Sequence, residues 1–171
     1  SPNDNGLFCF NHGASVDNPT DDQWRMYKSG RGNGNLPSNH VLSLAKDQFG
    51  FIWVGTDDGI GLIQCADKVF GVESCEAILP VVQTDQFAGY LFKGEMVQAI
   101  AVDGANRKWI GTKNGAWLVS AMGDKTIYHF TTTNSPLLHN DIRHIAIDAA
   151  NGTVLFSTAS GLCTFKGDAT I

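Results

Sequence analysis

His139, Asp141 and His144, in the run HNDIRH, come closest in this 171-residue chain to a metal or general-base site. Histidine can carry a proton or a metal ion near neutral pH, and a neighbouring carboxylate would orient it. Asp141 and His144 are expected to begin a strand, where side chains alternate between faces. Positions 139 and 144 then project to opposite sides and do not share an ion. Every serine falls in a turn or strand with a structural explanation, so no Ser-His-Asp arrangement is defensible. The chain is expected to be neither an enzyme nor a metal or cofactor binder. Asp47, Asp103 and Asp148 each open a tight turn, where a carboxylate accepts backbone N–H groups; capping is expected there rather than calcium. Cys9, Cys65, Cys75 and Cys163 form no C-x-x-C pair, which argues against a zinc ribbon. A disulfide between Cys65 and Cys75, across a hairpin, would suit an exported protein. Isolated buried thiols are the alternative.

The elements that position these residues are short apolar runs bounded by Asp and Gly. In LPSNHVLSLAKDQFGFIWVGTDDGIGLI, residues 36–63, three such runs are joined by tight turns. Runs of about 4–6 residues rich in Val, Ile, Leu, Phe and Trp read as β-strands, too short for helices. The unit returns at 97–116 with a constant offset of 56, pairing Trp53 with Trp109 and Gly55 with Gly111. It returns again at 137–165, with one extra residue in its first turn. Gly6, Gly59, Gly115 and Gly161 mark corresponding turns, 53, 56 and 46 residues apart. A period near 50 with three or four strands per repeat predicts an all-β protein of β-propeller architecture with negligible helix.

The strands group as the end of one blade (1–35), two blades (36–92 and 93–135) and an incomplete blade (136–171). Strand counts of two, four, four and three give about three and a half blades, fewer than a closed ring needs. A fragment of a larger propeller is therefore expected. Residues 76–92 are the least repeat-like stretch and are expected to hold an insertion plus a strand, after an irregular fourth strand near 69–74. Trp53 and Trp109 should wedge between blades. Gly59, Gly115 and Gly161 supply the positive φ of tight hairpins.

Net charge is −5 with no long basic run, so no nucleic-acid footprint appears. No apolar stretch reaches the ~18 residues of a membrane span. Strand alternation places a ligand on the rim shared by the lead-in to each first strand and each second-to-third hairpin. That rim would gather Asn39, His40, Asp57, Asp58, Glu95, Lys113, Asn114, Asn140 and Asp141. His40, Asp58, Lys113 and Asn140 are expected to be exposed. Polar groups converging from several blades suit a glycan or peptide.

The run at 36–60 resembles the two-component-regulator propeller repeat of Bacteroidetes proteins, with L-P-S-N, D-x-x-G and W-x-G-T in place. NRKWIGTKNGAWL and NGTVLFSTASGLCTFKGDAT are similar to the last propeller of PorZ-like proteins of the type IX secretion system. Phe156-Ser157 departs from the usual W-x-G. The resemblance implies an exported scaffold or recognition module at the periplasm or outer surface of a Gram-negative bacterium. Its partners would be proteins of a secretion or signalling complex, with lipopolysaccharide or another glycan as ligand. It also implies an alternative, the periplasmic glycan-sensing part of a hybrid two-component kinase; a propeller lyase is the least favoured reading.

Overall fold

The structure, a computed structural model, describes residues 5–71, 75–84 and 87–169. Fourteen strands form five antiparallel sheets among these residues. Strands β1 (Leu7–Asn11) and β2 (Gln23–Tyr27) make a two-stranded sheet. The first full repeat folds as β3 (Val41–Lys46), β4 (Ile52–Thr56) and β5 (Gly59–Ile63). A separate hairpin follows, β6 (Val81–Thr84) with β7 (Phe87–Tyr90). The next blade has four strands, β8 (Ala99–Val102), β9 (Lys108–Thr112), β10 (Gly115–Val119) and β11 (Thr126–Phe130). The last sheet is β12 (Ile142–Asp148), β13 (Thr153–Thr158) and β14 (Gly161–Lys166). The described residues contain no α-helix, only two single 3₁₀ turns.

The first strands β3, β8 and β12 lie side by side, and the sheets fan outward from them as blades. Alternate residues of the inner strands pack against the preceding and the following blade, giving three clusters between successive blades. Trp53 and Trp109 are 0% and 1% exposed, and each occupies the centre of an inter-blade cluster. The glycine of W-x-G-T sets how closely blades approach. A Cβ on Gly55 would meet Val97 at 2.7 Å and the Ser43 hydroxyl at 2.2 Å. One on Gly111 would meet Ile142 at 2.8 Å. Hence the lead-in to each following blade rests on a bare backbone.

Two expectations fail around residues 65–92. Val69–Gly71 is not strand: Ala66–Lys68 forms a 3₁₀ turn, and 72–74 lie outside the described residues. The disulfide Cys65–Cys75 spans this turn and returns the chain to the sheet edge. There Ile78 exchanges two 2.8 Å backbone hydrogen bonds with Leu62, supplying the outer pairing of the blade. The insertion holds two strands rather than one, because β6 and β7 pair with each other outside the blade. Local sequence lacks the repeat's glycine and tryptophan markers here, so its pairing was not legible.

Candidate functional site

Each second-to-third hairpin is closed by the threonine of W-x-G-T. Thr56 Oγ1 donates to Gly59 O and accepts from Asp58 N–H; Thr112 and Thr158 repeat this with Gly115 and Gly161 and with Asn114 and Ser160 N–H. The glycines hold φ of 107°, 123° and 129°, which side-chain-bearing residues rarely adopt. These turns place Asp57-Asp58 and Lys113-Asn114 on one rim with the lead-ins to β3, β8 and β12.

The rim is a linked series of polar groups. Asp57 Oδ2 lies 3.4 Å from His40 Nδ1, and its Oδ1 is buried with no hydrogen bond among the described residues. Asp58 pairs with Lys93 and accepts Gly94 N–H at 3.0 Å, so these bonds, led by Lys93, hold its carboxyl below the usual range despite burial. Glu95 receives both carboxylate contacts from Asn114 Nδ2 at 2.8 Å, and Asn114 O contacts His129 Nε2 at 2.9 Å. Gln98 Nε2 donates to Asp141 Oδ1 at 2.6 Å and to Ile142 O. That bond, then Arg143, also lowers Asp141 against its partial burial.

Not every expected rim group is presented outward. Asn39 Oδ1 accepts Ser29 N–H and Asn140 Oδ1 accepts Thr132 N–H, so both stitch lead-in loops. His40, Asp58 and Asn140 are half-buried rather than exposed, because each is engaged by an adjoining segment. Lys113 is exposed and has no ion pair among the described residues. His139 Nδ1 accepts Asp141 N–H, which spends the imidazole on its own turn.

The turn aspartates do cap. Asp47 Oδ1 accepts Phe49 and Phe51 N–H at 2.9 Å, and Asp103 Oδ1 accepts Ala105 and Arg107 N–H. Sequence reasoning missed what the other oxygen of Asp47 does. It accepts Trp53 Nε1 and Lys108 Nζ, each at 2.9 Å. Lys108 is fully buried, donates to Asn106 O and Ala121 O, and lies 4.7 Å from the centre of the Trp53 ring. Burial pushes its pKa down, and Asp47 offsets only part of that. Burial would raise Asp47, but the bonds from Lys108, Trp53 and Phe51 outweigh it and leave the carboxyl low. The signal was present: Lys108 stands where the first repeat has Ile52, an inward position.

With this geometry in place, comparison with known proteins gives the family of the repeat. Residues 35–58 match the two component regulator propeller family. Across 98% of the chain, the fold is similar to PorZ, a surface component of the type-IX secretion system of Porphyromonas gingivalis, at 29% identity and a TM-score of 0.90. It also resembles the extracellular domain of a putative hybrid two component system from B. thetaiotaomicron, at 25% identity, 85% coverage and a TM-score of 0.59. The extracellular domain of a putative one component system from the same organism, 18% identical, shares the fold at a TM-score of 0.57. The chain spans 23% of the PorZ structure and 19% and 18% of the other two. No curated protein sequence matches it.

Proposed function

We propose that this propeller segment is a non-enzymatic scaffold and recognition module of an exported protein. In this reading the rim from His40 to Asp141 takes a surface glycan such as lipopolysaccharide. The similarity to PorZ over 98% of the chain carries the proposal. PorZ is a bacterial surface component of a secretion system, and lipopolysaccharide is the ligand that the resemblance read from the sequence implies. In favour of this reading, the rim carries carboxylates and amides from successive blades and the exposed Lys113, which has no ion pair among the described residues.

The test is calorimetric titration of purified lipopolysaccharide into the chain and into a His40→Ala, Asp58→Asn, Lys113→Ala, Asn140→Ala variant. Asp58→Asn keeps an acceptor for Gly94 N–H. Affinity should fall about tenfold or more, or about 1.4 kcal/mol. Equal affinity in a folded variant removes the rim assignment. A second reading, the extracellular sensory part of a two-component system, is favoured by the 25% identical neighbour. The coding sequence downstream separates the two: a membrane helix with a kinase supports the sensor, a sorting domain the secretion component.

A further inference from the structure

The last blade has an open outer edge where both of its predecessors are covered. In β14 the hairpin at Thr158–Gly161 turns the backbone groups of Gly161, Cys163 and Phe165 toward β13, so those of Leu162, Thr164 and Lys166 point the other way. Among the described residues nothing pairs with them on that side. Leu62, which like Thr164 stands three residues after its turn glycine, exchanges two 2.8 Å backbone hydrogen bonds with Ile78. Leu118, at the same place in the next blade, is the cross-strand partner of Tyr128 in β11. An unpaired edge of this kind is a template for another strand.

Beside this edge lies an apolar hollow of about 220 Å³, lined by Phe130, Pro136, Leu137, Phe156, Cys163 and Phe165. The corresponding place is filled in both earlier blades. The residue two after the turn glycine is Gly61, Trp117 or Cys163. Buried Ala77 lies over Gly61, 3.4 Å from where a Cβ would stand. The ring of His129 covers that of Trp117, its cross-strand partner, with centroids 3.4 Å apart. Over Cys163 no strand lies among the described residues, and the hollow opens there. At roughly 30 Å³ per water it holds about seven waters, room for one large apolar side chain. The chain does not turn back to fill it. Gly167 N–H continues the pairing to Gly152 O, and Asp168 pairs with Arg107 at the β8–β9 turn of the preceding blade.

We propose that β14 takes up an extended strand of a protein partner, paired antiparallel, with an apolar side chain opposite Cys163 seated in the hollow. This gives the proposed scaffold a partner and rests on that reading, but it does not involve the rim. In strand addition the main-chain ladder supplies affinity and the pocket selects side chains. The equivalent edges are covered by β11 and by the Ala77–Ile78 segment, both extended, so a strand is the occupant the repeat is shaped for. The described ends of the chain are engaged elsewhere, Gly6 at Asn39 and Asp168 at Arg107, which favours a strand in trans. A second copy fits badly. Pairing β14 with itself would bring the β11 strands of both copies onto one face of the joined sheet, where Tyr128 and Phe130 already cover Phe165. A lipid would fill the hollow but leave the edge without its ladder.

The experiment is an amide NMR titration of the chain with acetyl-Lys-Glu-Val-Thr-Phe-Thr-Lys-amide, in which Phe falls opposite Cys163 and the first Thr opposite Thr164. One control peptide carries Ala for Phe, a second carries an N-methyl group on the first Thr, and decanoate probes lipid. The parent peptide should shift Ser135, Leu137 and Leu162–Lys166, and both control peptides should bind about tenfold or more weakly. Thr164→Pro removes the outward N–H without touching the pairing to β13, a change edge strands tolerate. It should weaken the parent peptide about tenfold or more and keep the parent circular dichroism. Shifts confined elsewhere, equal binding of either control peptide, or tighter binding of decanoate would each overturn the proposal. So would self-association of the chain that Thr164→Pro abolishes, which would make a second copy the occupant. Loss of peptide binding in a longer form of the protein would assign the edge to its own polypeptide and overturn the proposal as well.

Discussion

The buried pair between Lys108 of one blade and Asp47 of its neighbour permits a sharp thermodynamic test. Asp47→Ala leaves a fully buried ammonium with only carbonyl partners and strips Trp53 Nε1 of its acceptor. Breaking a buried ion pair by removing one partner costs about 3–5 kcal/mol. An orphaned buried donor adds about 1–3 kcal/mol, so the upper part of that range is expected. Lys108→Met should cost less, about 2–3 kcal/mol, because Asp47 keeps three N–H donors, from Phe49, Phe51 and Trp53. The double variant Asp47→Asn, Lys108→Met removes both charges yet keeps an acceptor and an apolar stem. Replacing a buried pair by neutral groups is often near neutral, so it should be more stable than Asp47→Ala and show about 2 kcal/mol or more of coupling against Asp47→Asn and Lys108→Met alone. Urea denaturation of the four proteins, read at constant m, measures the cycle. Additivity within about 0.5 kcal/mol would refute the claim that these groups act as one inter-blade staple.

Trp53→Ala and Trp109→Ala should each cost about 3–5 kcal/mol in the same assay, since both rings are buried; losses below about 1 kcal/mol would contradict core packing. Reducing Cys65–Cys75, ten residues apart in sequence, should cost about 2–4 kcal/mol and shift the melting transition downward, whereas an unchanged transition would mean the bridge adds nothing. Acid should destabilise the chain. Asp47, Asp58 and Asp141 all have lowered pKa values, so their stabilisation is present above the unfolded value of about 3.9 and lost as pH falls through the folded values. A denaturation midpoint that stays flat from neutrality to about pH 3 would contradict this.

Most of the fold was legible because the repeat states it three times. W-x-G-T encodes a buried ring, a bare backbone for the next blade and a hairpin cap, and the structure uses all three at 53–56 and 109–112. Strands β9, β12 and β13 fall where the alternation puts them. What was not legible lies where one copy departs from the others. Between 65 and 92 a 3₁₀ turn and a self-paired hairpin replace the expected strand, although the Cys65–Cys75 disulfide was among the readings the sequence offered. The rim residues were identifiable by register, but their partners were not. Asp58 meets Lys93, 35 positions away, and Asp141 meets Gln98, 43 away. Such contacts arise from blade stacking rather than local pattern.

Amide hydrogen exchange on the chain with and without purified lipopolysaccharide tests the proposed role most directly. The account predicts new protection at the hairpins and lead-ins of the rim, around 39–41, 57–59, 93–95, 113–115 and 140–142. Protection confined to the outer strands β11 and β14, or none at saturating lipopolysaccharide, would contradict it.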